Sequence, residues 1–392
     1  MNLATSTSVK ALTVAAFLAF APVAHAFDAS GNPLADTLMS NLEASGATDV
    51  SAEAVTGNSG NAEILNLTAT SKADGEDAKV SIERITISNG DVVDGKLSAG
   101  EITMDGLRIE SKDATVTAVS GRATDITMPS ADDIKAKSPS LSADSKYGQV
   151  EINGLTIASE DGVNVPIGHI ALEASDYVGD IARKFSLSVD NLSIAKSMLD
   201  GQGQAMFDRL GYDNLMLSLS LDGTWDDSTG IGDIKKFALT GKDVGTLSLT
   251  ARVGGLTPDV VAKLKTMDGG NNPQEAMQLL QGLTVESLMI RFDNDSVVER
   301  GLDAQAKEMG TTRDALAAQL SGALPLMLSA LQNPGFQKKV GEAATTFLKE
   351  RKTIIASANP AQPIPVAQIF GTAMVAPQSI PDVLGVDVTT NP

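Results

Sequence analysis

Between about Ala62 and Val253 the chain alternates apolar and polar residues with a period of two, rich in Ile, Leu, Val, Thr and Ser and broken by clusters of Gly, Asp and Asn. That period predicts strands joined by tight turns. The clearest runs are Lys79–Ser88, Lys96–Ile109, Thr115–Thr127, Gln149–Ala158, Lys184–Ile194, Leu215–Leu221, Lys236–Thr240 and Thr246–Val253. Met128-Pro129 and Ser138-Pro139 bracket a polar interruption, Ser130–Lys137, which reads as a loop or a short helix.

An eight-residue unit recurs in this region, with apolar residues at positions 1, 3, 6 and 8: Val80–Ile87 (VSIERITI), Ile102–Ile109 (ITMDGLRI), Val150–Ile157 (VEINGLTI), Leu187–Ile194 (LSVDNLSI), Leu210–Leu217 (LGYDNLML) and, further on, Leu283–Ile290 (LTVESLMI). The alternation therefore changes phase in the middle. In a straight strand the second apolar pair would face away from the first. Four copies carry Asp or Asn at position 4 and Gly or Asn at position 5, residue types that accept a positive φ. A tight hairpin and a bulged strand both satisfy that pattern, and the three-residue arms favour the bulge.

Helical periods flank the alternating region. Pro33–Gly46 predicts a short amphipathic helix, with Leu34, Leu38 and Leu42 on one face and Gly46 to end it. After Thr257-Pro258, an N-cap followed by proline, a helix runs through Lys265, and a second is predicted over Pro273–Gln281. Thr311–Asp314 opens a helix with a Leu316, Leu320, Leu324, Leu328 and Leu331 stripe, kinked at Pro325, and Asn333-Pro334 opens another with Phe336, Val340, Ala344 and Phe347 inward. From Thr353 the chain is Pro-rich, with a short helix between Pro365 and Val375 and a final strand at Val386–Val388. The predicted organisation is a signal peptide (1–26), an N-terminal helix and lead-in (27–61), a β-rich domain (62–256), a helical segment with one returning strand (257–352, strand 283–292) and a Pro-rich tail with a final strand (353–392).

The first 26 residues change the picture of where the chain works. Lys10, the apolar stretch Ala11–Ala21, Pro22 and Ala24-His25-Ala26 read as a secretory signal peptide cleaved after Ala26. Ala11–Ala26 is only 16 residues long and contains a proline, short of the roughly 20 that span a bilayer, so no integral span is expected after cleavage. The exported body has no cysteine, hence no disulfide and no lipid attachment site, and it carries a formal charge near −20. That charge disfavours nucleic acid. The expected location is the periplasm.

Composition also narrows the chemistry. His169 is the single histidine after the signal peptide, in Pro166-Ile-Gly-His-Ile, so a Ser-His-Asp site would have to use it, and Cys-His and His- or Cys-based zinc sites are excluded. Asp132-Asp133, Asp226-Asp227 and Asp293-Asn294-Asp295 could in principle form acid pairs or a Ca²⁺ loop, but none has EF-hand order, and Asp and Asn dominate turns for local reasons. Asn66-Leu-Thr and Asn191-Leu-Ser match the glycosylation triplet, a weak signal. One Trp and three Tyr leave little for sugar platforms. No catalytic, cofactor or metal site is expected. Apolar strands followed by helices carrying Met267, Met277, Met289, Met309 and Met327 suit an adaptable apolar groove instead.

The Leu-x-Val-Asp-Asn-Leu-x-Ile unit and the run Phe237–Leu256 (FALTGKDVGTLSLTARVGGL) resemble the strand pattern of AsmA-like and YdgA-like periplasmic proteins of Gram-negative bacteria. Leu283–Asn391, with Pro-Ala-Gln-Pro-Ile-Pro and Pro-Gln-Ser-Ile-Pro-Asp, resembles uncharacterised alphaproteobacterial exported proteins. The AsmA resemblance implies a curved β-groove that handles lipid; the chain departs from that group in its length and in lacking a retained N-terminal membrane helix. The expectation is a mostly β, α+β protein, a long bent antiparallel sheet that could form a groove, packed by C-terminal helices. It would bind a lipid or other apolar ligand without catalysis, in envelope maintenance or lipid handling. The alternative is a structural or protein-interaction module of the envelope.

Overall fold

The computed structural model describes residues 27–73, 76–137, 145–266 and 278–391. The predicted signal peptide, Ser138-Pro139, Met267, Met277 and most of the predicted Pro273–Gln281 helix lie outside these residues. The chain is mostly β, with long antiparallel strands and C-terminal helices, as its alternation predicts. It divides into two compact units, Met1–Ala205 and Met206–Pro392. The dividing point falls inside a helix, α3 (Gly201–Leu210), that the residue pattern does not announce.

The first unit contains α1 (Pro33–Ala44), β1 (Thr48–Ser51), β2 (Ala54–Asn58), β3 (Asn61–Ala73), β4 (Glu76–Val93), β5 (Lys96–Glu110), β6 (Ala114–Met128), α2 (Ala131–Lys137), β7 (Gln149–Ser159), β8 (Asn164–Val178) and β9 (Ile181–Ala195). Its strands hydrogen-bond in the order β1-β3-β4-β5-β6-β7-β8-β9, with β2 paired to β3. Helix α1 begins where the side chain of Asn32 accepts from the amides of Leu34 and Ala35, and ends before Gly46 at φ +97°. Asn32 Nδ2 also donates to the carbonyls of Asn58 and Asn61, which ties the helix to the β2–β3 turn. Leu34, Leu38 and Met39 then pack on Ile64, Ile87 and Leu97 as the main core.

The phase change in the eight-residue unit has a cause other than the expected bulge. From β3 to β9 every ladder keeps one register, with no residue inserted. Continuing that register across the skipped pairs aligns Asn66, Glu83, Gly106, Val119, Gly154, Gly168 and Asn191 in a single row across the strands. Every second member is left-handed: Asn66, Gly106, Gly154 and Asn191 have φ of 48°, 67°, 62° and 58°. One left-handed residue turns the strand about its axis and returns the second apolar pair to the face of the first. Ile152, Leu155 and Ile157, on either side of left-handed Gly154, accordingly join one cluster, and Val80, Ile82, Ile85 and Ile87, on either side of Glu83 between left-handed Asn66 and Gly106, join another. A parallel row, with Asn89 and Asp125 left-handed, crosses the strands six residues away. The Asn residues of both glycosylation-like triplets are thus strand residues with a conformational task.

The second unit contains β10 (Asn214–Asp226), β11 (Ile231–Gly241), β12 (Gly245–Gly254), α4 (Pro258–Thr266), β13 (Thr284–Asn294), α5 (Val297–Glu308), α6 (Arg313–Leu328), α7 (Pro334–Glu350), β14 (Thr353–Ala358), β15 (Ile364–Pro365), α8 (Val366–Val375), α9 (Ile380–Val383) and β16 (Val386–Thr390). Its strands run β10-β11-β12-β13-β14-β16, all antiparallel. Here the bulge does occur: Arg252 faces Ser287 and Val253 faces Val285, leaving Glu286 as the extra residue of the Leu283–Ile290 copy. The Leu210–Leu217 copy is no single strand, because α3 ends at Leu210, Gly211 is left-handed and β10 starts at Asn214. The Pro-rich tail supplies two full strands, β14 beside β13 and β16 beside β14, where the composition showed only one.

Candidate functional site

The histidine and most of the acids singled out above sit in separate local contacts. His169 lies on β8 opposite Asp190, its Nδ1 3.8 Å from that carboxylate, on a partly exposed strand. Asp132 and Asp133 open α2, where negative charge suits a helix start, and Asp133 lies 3.7 Å from Lys96 Nζ. Asp226 closes a turn by accepting from the Ser228 hydroxyl and amide and the Thr229 amide; these bonds, the Ser228 hydroxyl foremost, lower its pKa to about 2. Asp293 is held by both guanidinium nitrogens of Arg291 at 2.7 Å, which lowers its pKa, and it also accepts from Thr353 Oγ1. Asn294 caps α5 through the amide of Val298. Among the described residues no three His, Cys, Asp or Glu side chains converge as a metal site.

What the first unit does assemble is an apolar groove. It has a volume of about 240 Å³; Leu38 and Leu42 of α1 form one wall, and Ile82, Ile102, Met104 and Ile152 contribute to its floor. The floor forms because Met104 lies across Gly121, where a Cβ would meet its Cε at 2.6 Å. Residues directly opposite in antiparallel strands project to the same face. The register therefore extends the floor in two rows, Val150–Leu172–Leu187 and Ile152–Ile170–Val189, onto β8 and β9. All six side chains are half-buried, and the intervening Glu151, Ala171 and Ser188 take the other face.

Helix α1 packs on β1, β3, β4 and β5 and walls the groove as far as β7. The apolar rows on β8 and β9 continue this floor half-buried, with Ile170 packed against the cluster around Leu155 and Ile157, beside a groove whose lining is almost wholly hydrocarbon. The methionine found in this groove is Met104, which is not among the five named from the sequence; Met289 lies on β13 opposite Thr250 and Ser357. Met309 and Met327 are instead exposed on the helices of the second unit, since Met309 follows the end of α5 and Met327 sits past the buried start of α6.

The second unit has an apolar sheet face of its own. Leu219, Leu239, Leu247, Phe292 and Ile354 form one row across β10 to β14, and Leu221, Phe237, Leu249 and Ile290 begin the next. Phe292 is covered edge-on by Phe347 of α7, with ring centroids 6.2 Å apart. Leu239, Leu247 and Ile290 remain exposed. A cavity of about 580 Å³ lies between α6 and α7, with Leu324, Pro325 and Leu328 on one side and Gln337, Gly341 and Thr345 on the other, a more polar lining than the groove.

A family model described only as an uncharacterized protein matches residues 238–391, from within β11 to the end of the last strand. No curated protein matches the chain.

Proposed function

We propose that the protein is a non-catalytic, exported binder of a lipid or other apolar ligand, working in the periplasm in lipid handling or envelope maintenance. The observation that carries this reading is the groove between α1 and β4–β7, continued by half-buried apolar rows on β8 and β9. Backbone groups there are paired in the ladders, so an acyl chain laid along the rows meets hydrocarbon and leaves no polar group unsatisfied. The resemblance of the strand units to AsmA-like proteins points the same way.

Native mass spectrometry with lipid extraction, on mature protein purified without detergent, tests the reading. A stoichiometric lipid released on denaturation is the expected result. A clean apoprotein mass overturns it in favour of a structural or interaction module whose apolar rows are ordinary core.

A further inference from the structure

The C-terminal helices carry a second apolar surface of a different shape. Leu326 and Met327, near the end of α6, are 80% and 64% exposed, and Met374 and Val375, at the end of α8, are 86% and 87% exposed. Leu331 and Phe370 add to them. Asn333 brings the two helix ends together: its Nδ2 donates to the Gln378 carbonyl at 3.0 Å and to Asp382 Oδ2 at 2.9 Å, while its Oδ1 accepts from the Phe336 amide. The turn after α6 is thereby tied to the turn after α8. These two exposed apolar helix ends, joined through the turns that follow them, form the tip.

The start of α6 is anchored in the fold. Leu316 is buried with Leu302 and Ala306, and Arg313 is paired with Asp303. Arg313–Leu331 is apolar and long enough to cross a bilayer by length and composition, yet Leu316 and Ala317 are core, Leu324 and Leu328 line the cavity against α7, and Leu326 and Met327 project. That division suits a segment dipping into an interface rather than spanning it.

Charge identifies the occupant. No charged residue occurs between Asp314 and Lys338, or between Lys352 and Asp382. Residues 313–392 carry six basic against five acidic side chains, in a chain of net charge −19. The end that bears the tip is therefore the part not repelled by headgroups, and its lysines Lys338 and Lys339 are paired with Glu342 and Asp387. The hydrocarbon boundary of a membrane accepts exposed apolar side chains without a matching surface. We propose that this tip, Leu326, Met327, Met374 and Val375, inserts into the interfacial layer of a lipid bilayer and docks the second unit on the membrane surface. The inference goes beyond the ligand reading and stands without it.

Vesicle flotation of the full mature chain provides the test, with neutral phosphatidylcholine vesicles and with mixed phosphatidylethanolamine–phosphatidylglycerol vesicles. Wild type should float with both. The combined variant Leu326→Ser, Met327→Ser, Met374→Ser, Val375→Ser should lose at least about a hundredfold in partitioning, since each buried aliphatic side chain is worth about tenfold. Its urea midpoint should not move, because all four side chains are exposed in the fold. Ile152→Gln, in the groove, should float as wild type does, which separates this proposal from the ligand reading. The proposal is overturned if wild type stays unbound, if the fourfold variant floats equally well, or if light scattering shows that the tip holds two copies together and the variant only separates them.

Discussion

Gly154→Ala is the sharpest test of how the apolar face is made. Gly154 sits in the row of left-handed residues at φ +62°, and a Cβ there would lie 2.6 Å from Val119 Cγ2 and 3.2 Å from Val119 Cβ. Two costs arise. Holding alanine in the left-handed region costs about 1–2 kcal/mol. The contact with Val119 falls at the low end of the roughly 1–3 kcal/mol typical of overpacking, because Val119 is 69% exposed and its side chain can rotate away. The expected loss is about 2–3 kcal/mol, a fall of roughly 1 M in the urea midpoint for an m-value of about 2 kcal/mol/M. Val119→Ala alone should be nearly neutral, within about 0.5 kcal/mol for a surface change. Combined with Gly154→Ala it removes the nearer contact and should recover about 1 kcal/mol, leaving the backbone cost. Equilibrium urea unfolding of the four proteins closes the cycle. A loss below about 0.5 kcal/mol for Gly154→Ala would refute the left-handed row as a structural requirement, and no recovery in the double variant would refute the steric half of the argument.

Three further outcomes follow from the same geometry. Ile152→Gln places an amide on the floor of the groove and should reduce co-purifying lipid at least about tenfold, judged by extraction and mass spectrometry; equal lipid content in the variant would move the ligand elsewhere. Arg300 stacks on Tyr212 at 4.3 Å and donates from Nη1 to the carbonyls of Leu210 and Gly211 at 3.0 and 2.6 Å. Arg300→Met should therefore cost roughly 2–3 kcal/mol in chemical denaturation, with Arg300→Lys intermediate because it keeps the cation and loses the planar fork. Asp226 has a folded pKa of about 2 against an ordinary 3.8, so its contribution to stability is complete above pH 4 and fades as pH falls through about 2. NMR titration of its carboxyl carbon should place the midpoint near 2, and a midpoint near 4 would show that the Ser228 and Thr229 bonds do not form in solution.

Much of the local structure was legible from residue order, for reasons that act over a few residues. Asn32-Pro33 and Asn333-Pro334 start helices because a side-chain acceptor followed by a fixed φ suits the first turn, and both caps are present. The two-residue period marked most strands, since one face of each is more buried than the other. The eight-residue unit announced a phase change but not its mechanism. Asp-Gly and Asp-Asn permit a positive φ equally in a hairpin, a bulge or a through-strand, and the neighbouring strands select among them. Where Glu83 and Val119 fill the space beside Gly106 and Gly154, the register passes unbroken; at Glu286 an extra residue is accommodated instead.

The candidate site divides along the same line. Composition excluded cysteine and multi-histidine chemistry and pointed to apolar contact, because those statements depend only on which side chains exist. Which apolar residues form the groove depended on what covers them. Helix α1 packs closest on β3 to β5, so the identical alternation yields full burial at Ile64 and Ile87 and only half-burial at Ile170 and Val189. The leucine stripe of α6 gives the same lesson, since Leu316 meets α5 and is buried while Leu326 projects. Residue order states that a side chain prefers to leave water; whether a neighbour arrives to cover it is a fact of chain segments far apart in sequence, and only the assembled fold decides it.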